Sequence, residues 1–376
     1  VSNIGHLLDR YREHPAVVQL LQALQPPGAA RVPRIHLNGL KGAQTAFALA
    51  ASVNGGRLTV DTGRSAALYI AESKEEAAYL LNDLQGILGE EAVHFFPDSF
   101  KRPAFFDDLN PTQMLQRSEV VNKVSLRNPS NPTPGPSPDG EGGRVVRSEP
   151  LSSPLPFGGG AGGGAGGVGG GVVVTYPEAL FEKVVSPEVL AKSRFEVGKG
   201  EELDVEFVIQ VLVEYGFERT DFVYEPGQFS LRGGIIDLFS YGNELPYRIE
   251  LFDKEVESIR TFEPLTQLSR QNIERLSIVP NLNTRFRQDE KVSLFRVLPP
   301  NTVVWIKDFQ FLLDRLQYCF EKAEQFAEKI SALDTAEIRE MFRDRAFLFP
   351  GNVVEEVREH PIVFLEKPSQ AVSDML

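Results

Sequence analysis

The run with the clearest chemical potential is Gly39-Leu40-Lys41-Gly42-Ala43-Gln44-Thr45-Ala46. A phosphate-binding loop needs glycines so that backbone amides can wrap the phosphates, a lysine for the outer phosphates, and a Ser or Thr hydroxyl for magnesium. Gly39 and Gly42 stand between a predicted strand and a predicted helix, which is the right setting. Thr45 and Ala46 occupy the places of the lysine and the hydroxyl. Thr45 brings no positive charge, and Lys41 comes before the second glycine, where its side chain has no obvious reach to an outer phosphate. The loop is expected to be a degenerate phosphate loop that does not support hydrolysis. A plain strand-to-helix turn uses two glycines in the same way, and on these residues alone both readings stand.

Nucleotide hydrolysis also needs acid at a strand end to hold magnesium. The best candidate strand, Val303-Val304-Trp305-Ile306, runs into Lys307-Asp308. A lysine beside a metal does not fit that chemistry. Asp308 reads more simply as the N-cap of the following helix. One cysteine, Cys319, and five scattered histidines exclude a disulfide framework or a metal site of ordinary ligand spacing. No cofactor is expected.

The other candidate residues are charged and lie on short predicted strands. Arg219 and Phe222 flank Thr220-Asp221, and Arg232, Arg248, Glu250 and Arg260 follow on strands whose alternation sends them to the polar face. Such a face is either solvated, with cross-strand ion pairs of small worth, or a docking surface. Arginines beside Phe222 and Phe229 have the composition of interface anchors.

The elements that must carry these residues follow from pattern. Residues 4–24 hold two helical runs split by Pro15, and Arg34-Ile35-His36-Leu37 is a strand. An alanine-rich helix at 45–53, a buried strand at 67–71 and a helix with a Ser73/Glu76 capping box come next, with Leu80, Leu81, Leu84 and Leu88 on one face. Another strand at 93–97 makes repeated βα units around a parallel sheet. Residues 122–171 are dominated by Pro, Ser and Gly and cannot bury enough apolar surface to order themselves. Beyond them come a buried strand at 171–176 and a helix capped by Asp204 that ends at Gly216. A meander of strands follows at 228–231, 235–239, 247–252 and 257–262. The strand at 302–306 and a long helix through Leu312, Leu316, Phe320 and Ala323 restore the α/β pattern, and this last segment could complete the first sheet.

The 376 residues suit two or three domains, and the expected boundaries are 1–121, 122–171, 172–266 and 267–376. Fifty-two acidic against 39 basic residues, a net charge of −13, would repel a phosphate backbone. No apolar stretch approaches the roughly 20 residues of a membrane span. The opening residues lack a basic patch followed by an apolar core, so a cytoplasmic location is expected.

The run from Phe217 to Thr266, FERTD followed by PGQFSLRGGIIDLFSYGNELPYRIELFDKEVESIRTFEPLT, resembles the second domain of the excision-repair protein UvrB. It resembles even more closely the matching domain of the bacterial transcription-repair coupling factors. The glycine loop lies along the UvrB phosphate loop GVTGSGKTF without a gap. The resemblance covers nearly all of the chain except the Pro/Gly/Ser-rich stretch, and is weakest after about residue 285. It implies an α/β fold, a degenerate, UvrB/helicase-like phosphate-loop lobe built from two chain segments around an inserted α+β antiparallel domain. It also implies a non-catalytic module that docks UvrA through Arg219, Arg232 and Glu250. Phe222 joins this set from its place beside Arg219. The family has an arginine where this chain has Ser230, which displaces one expected contact.

By the same resemblance, contacts with RNA polymerase and DNA, and ATP-driven translocation, belong to regions of the family outside this chain. Other domains of the full-length factor are further expected partners. The aromatic hairpin with which UvrB grips DNA is not evident, and Phe95, Phe96, Phe105 and Phe106 read as core or strand-end residues. The alternative is a UvrB-like DNA-binding helicase with an unorthodox nucleotide site.

Overall fold

The computed structural model describes residues 2–24, 32–53, 66–102, 105–106, 108–125, 171–193, 195–241, 243, 245–280, 290–299, 301–331, 334, 336–343 and 346–376. The expected insertion at 122–171 lies outside these residues apart from its ends: residues 122–125 close a helix, Pro111–Ser125, and Gly171 leads into a strand. The chain divides into two compact units. One comprises Val1–Val120, Ala165–Lys183 and Ser293–Leu376, the other Val121–Gly164 and Val184–Val292.

The first unit is built on a parallel sheet. Its strands are β1 (Arg34–His36), β2 (Ala67–Ile70), β3 (Val93–Phe95), β4 (Val172–Thr175), β15 (Val303–Ile306) and β16 (Ile362–Phe364), in the spatial order β1-β16-β15-β2-β4-β3. All five pairings are parallel. β2, β4, β15 and β16 are buried along their whole length. That is why they read as unbroken apolar runs rather than alternating ones. The alanines of helix Gln44–Val53 let it pack closely, with Ala46, Ala48, Leu49, Ala50 and Ala51 excluded from solvent. Helix Phe309–Ala327 buries Phe309, Leu312, Leu316, Cys319 and Ala323 on one stripe.

The second unit holds an antiparallel sheet. Its strands are β5 (Val184–Val185), β6 (Phe195–Gly198), β7 (Glu218–Arg219), β8 (Gln228–Arg232), β9 (Ile235–Leu238), β10 (Tyr247–Phe252), β11 (Glu255–Phe262), β12 (Ser269–Ile273), β13 (Arg275–Ile278) and β14 (Lys291–Val292). Six of them form a sheet in the order β12-β11-β10-β9-β8-β7, antiparallel except for β7 beside β8. β6 pairs with β13 and β5 with β14.

Helix Val205–Glu214 starts where the Asp204 carboxylate accepts the amides of Glu206 and Phe207, and it ends as Gly216 turns to φ +81°. Its Val208 and Leu212 enter a core with Phe229, Ile236, Leu238, Ile249 and Ile259 from one face of the sheet. Val197, Leu276 and Ile278 of the β6/β13 pair belong to the same cluster. Antiparallel pairing therefore extends to Ile278, beyond the last of the four expected meander strands.

Candidate functional site

Period-two alternation places the charged residues of the second unit opposite this core. Ser230, Asp237, Arg248, Arg260 and Asn272 face one another directly across β8, β9, β10, β11 and β12. Two arginines side by side would repel. Each has an acid instead.

Asp237 is fully buried and accepts from Arg248 Nε at 2.7 Å and Nη2 at 2.8 Å, and also from Arg232. This fork binding holds the Arg248 guanidinium above its ordinary pKa, against the opposing effect of burial. Arg248 also lies 4.5 Å above the Phe262 ring and donates to the Gln267 carbonyl at 3.3 Å. Arg260 pairs with Glu250, which also accepts from Ser258 Oγ at 2.7 Å. Arg248 and Arg260 are thus bound within the sheet.

At the other edge the face opens into a pocket of about 480 Å³ lined by Arg219, Thr220, Asp221, Phe222, Leu231 and Arg232. β7 ends at Arg219, so β8 passes beyond its neighbour and exposes Leu231 to the pocket. The Arg232 guanidinium sits 4.9 Å from the Phe222 ring centre, between that ring and Asp237. Arg219 is exposed and makes no ion pair among the described residues.

The loop that carries Phe222 is held by short-range bonds. Thr220 Oγ1 donates to the Phe222 carbonyl at 2.9 Å, and the amides of Tyr224 and Glu225 donate to Gln228 Oε1 at 2.9 and 3.1 Å. Gln267, at φ +59°, donates from Nε2 to the Val223 carbonyl at 3.2 Å. That bond ties the β11–β12 turn to the loop, above a buried cluster of Val223, Phe239 and Phe262. Phe222, Tyr224, Leu265 and Leu268 stay exposed on these two segments.

Of the residues expected at the site, Arg219, Phe222 and Arg232 meet in one pocket. Glu250 does not line it. It shares a cross-strand row with Arg232 through Ile235, two strands away, and is engaged by Arg260. Thr220, Asp221, Leu231, Asp237 and Gln267 were not singled out by pattern. Asp237 had a legible signal, a lone carboxylate in the apolar run Ile235-Ile236-Asp237-Leu238-Phe239.

In the first unit the glycine loop follows edge strand β1. Gly39 and Gly42 take φ of +87° and +54°, conformations open to glycine. The Lys41 amide donates to Gln44 Oε1 at 2.8 Å, so a side chain of the loop already occupies that donor. Lys41 is exposed, Thr45 is half-buried and Ala46 is fully buried. On the strand end of β15, Lys307 pairs with Glu72 at 2.8 Å, and Asp308 caps its helix by accepting the Phe311 amide at 3.1 Å. Among the described residues no group of His, Cys, Asp and Glu could hold a metal, and no helix is long and apolar enough to cross a membrane.

Beyond β3 and β4 lies a buried polar cluster. Arg117 donates to the carbonyls of Pro97, Ala179 and Glu182 and stacks on Phe96 at 4.2 Å. Tyr176 donates to Asp98, and Glu182 Oε1 accepts the Ser99 amide at 2.7 Å. Burial pushes the Tyr176 hydroxyl and the Glu182 carboxyl above their ordinary pKa values. Among the described residues these bonds join the cluster's own elements to one another, which marks it as a fastening.

Residues 195–283 match the family described as the UvrB interaction domain. The chain is 30% identical over 198 residues to the transcription-repair-coupling factor of Bacillus subtilis (strain 168), an alignment covering 52% of this chain and 15% of that protein. It is 51% identical over 79 residues to the factors of Staphylococcus aureus (strain bovine RF122 / ET3-1) and Staphylococcus haemolyticus, covering 21% of this chain and 7% of each of those proteins. The chain thus spans a small part of the length of the relatives it matches. The pocket and its arginines lie inside the segment that matches the UvrB interaction domain, in a chain similar to part of the transcription-repair-coupling factors.

Proposed function

We propose that this chain is a non-catalytic docking module for UvrA, through which a coupling factor recruits excision repair to stalled transcription. The convergence of Arg219, Phe222 and Arg232 on one pocket, inside the segment matching the UvrB interaction domain, carries this reading. Glu250 contributes from the same row of the sheet, and the exposed Phe222, Tyr224, Leu265 and Leu268 supply the aromatic and apolar area on which hot spots depend.

In this reading the first unit, formed by Val1–Val120, Ala165–Lys183 and Ser293–Leu376, is a scaffold descended from a nucleotide-binding lobe. Gly39, Lys41, Gly42, Thr45 and Ala46 form its former phosphate loop. The occupied Lys41 amide, the buried Ala46 and the capping role of Asp308 support the loss of nucleotide chemistry. RNA polymerase and DNA are partners of other regions of the full-length protein, whose remaining domains are further partners of this chain.

Titration of purified UvrA into the chain, followed by calorimetry, tests the proposal. Micromolar or tighter binding is expected, with Arg232→Ala weakening it by roughly 10-fold and UvrB competing for the same surface. No measurable binding, or a complex that persists under saturating UvrB, would sink it. ATP hydrolysis by the chain that is abolished by changing Thr45 would favour the helicase alternative.

A further inference from the structure

Phe105 and Phe106 are chemically identical neighbours in opposite surroundings. They sit at the tip of a short hairpin beyond β3, where Phe100 bridges Leu109 in antiparallel fashion. The Asn110 amide donates to the Ser99 carbonyl at 2.8 Å, the Lys101 amide donates to the Asp108 carbonyl at 2.9 Å, and Lys101 Nζ pairs with Asp108 at 2.6 Å. Phe106 points into a cage of phenylalanines. Its ring centre lies 5.1 Å from that of Phe100, 5.4 Å from those of Phe342 and Phe347, 6.0 Å from Phe326 and 6.3 Å from Phe181. Phe105 stands exposed, with the Arg102 guanidinium 5.2 Å from its ring centre. Phe106 holds its place in a left-handed conformation, φ +60°, which is strained for any residue with a Cβ and most of all for a bulky one. Ring contacts in the cage offset that strain.

We propose that this hairpin tip is a two-state element in which Phe105 and Phe106 exchange the cage. Either ring fills the same volume, so the gain from burial is nearly equal in both states, and the strain at Phe106 narrows the gap between them. Returning Phe106 to an extended φ turns its ring outward and brings Phe105 to the cage, while the rungs from Ser99 to Asn110 stay closed. What is given up is the Arg102 contact, a weak one on an exposed ring. The cage is assembled from separate elements of the first unit. Phe181 ends helix Pro177–Phe181, Phe326 lies on helix Phe309–Ala327, Phe342 lies on helix Ala336–Arg343, and Phe347 follows that helix. Phe342 and Phe347 are half-buried, so this wall of the cage is the one nearest solvent. A surface that grips Phe105 holds Phe106 in the cage, and a shift of helix Ala336–Arg343 favours the exchanged state. The tip thus links its outer surface to the packing of that helix.

Thermal melts of the whole chain and fluorine NMR test the exchange. Phe105→Ala is expected to move the melting temperature by less than about 2 °C. Phe106→Ala should lose only about 3 °C, because Phe105 takes the vacated place, whereas the double variant should lose about 10 °C or more, the full effect of an empty phenylalanine site. That excess over the sum of the single losses is the signature of exchange. In the otherwise unaltered chain, para-fluorophenylalanine in place of Phe105 should show, by saturation transfer, a solvent-shielded minor signal at about 0.1–10%. The shielded signal should become the main one in Phe106→Ala. Losses that simply add, or a single exposed signal that stays exposed in Phe106→Ala, would overturn the proposal. If Phe106→Ala does not fold, the fluorine signal of the otherwise unaltered chain decides alone, the minor species supporting exchange and its absence overturning it.

Discussion

Asp237 shows how one residue sets the character of a whole face. It is fully buried and binds two arginines from different strands, so its removal leaves two guanidiniums without their shared acid. Asp237→Ala is expected to cost about 3 kcal/mol of stability, read from urea unfolding, because an unpaired charge near the interior is costly. Alternation alone placed Arg232, Arg248, Glu250 and Arg260 on the polar face. It could not show that Arg248 is bound within the sheet while Arg219 is free, since that depends on partners brought in by register. The same limit explains Phe105 and Phe106: Phe106 is buried among other phenylalanines, whereas Phe105 is 60% exposed beside Arg102, a correction to the expectation that both are core or strand-end residues. Cys319 is buried, and desolvation pushes its thiol up to about 12, so it is expected to resist thiol reagents until the chain is unfolded. Rapid labelling under native conditions would contradict this.

Elements with strong punctuation were legible. Pro15 divides the first two helices, Asp204 and Asp308 cap theirs, and the four expected meander strands all form. The Ser73 cap forms too, with its oxygen accepting the Glu76 amide, but Glu76 reaches back to the Glu72 amide instead of closing the box on Ser73. β12 went unseen because Ser269-Arg270-Gln271-Asn272 is polar and exposed, with no alternation to read, and β7 is only two residues long. The β7–β8 connection turns on Gly227. At φ +85°, its missing Cβ would fall 2.2 Å from the Tyr241 hydroxyl, which itself donates to the Gly216 carbonyl at 3.0 Å. Gly227→Ala is expected to destabilise the second unit by roughly 1–2 kcal/mol or more from backbone strain and that clash. An unchanged denaturation midpoint would refute this.

For the whole molecule, the acid–base behaviour of the first unit follows from two buried groups that act in opposite directions. Burial lowers the pKa of His360 below 6.5, so the unfolded chain takes up the proton first. Its stabilising effect is complete above pH 6.5 and fades as pH falls through the window below that value. Glu182, raised above 4.5, instead costs stability as pH climbs from there. The difference in melting temperature between the wild type and His360→Gln isolates the histidine. It should shift as pH is lowered from 7 to 5, with the wild type losing more, and parallel profiles would exclude the effect.

The strand order of the parallel sheet also bears on how the chain is made. β1, which precedes the glycine loop, pairs with β16 and with no other strand among the described residues. Its partner lies more than three hundred residues further along the chain, since Arg34 meets Ile362. During translation, β2, β3 and β4 can associate once Thr175 has emerged, while β1 must wait until the ribosome has released nearly the entire segment. Such a long-range closure is slow in any chain of high contact order. The glycine turn therefore acquires its final setting last, after the antiparallel unit has had time to fold.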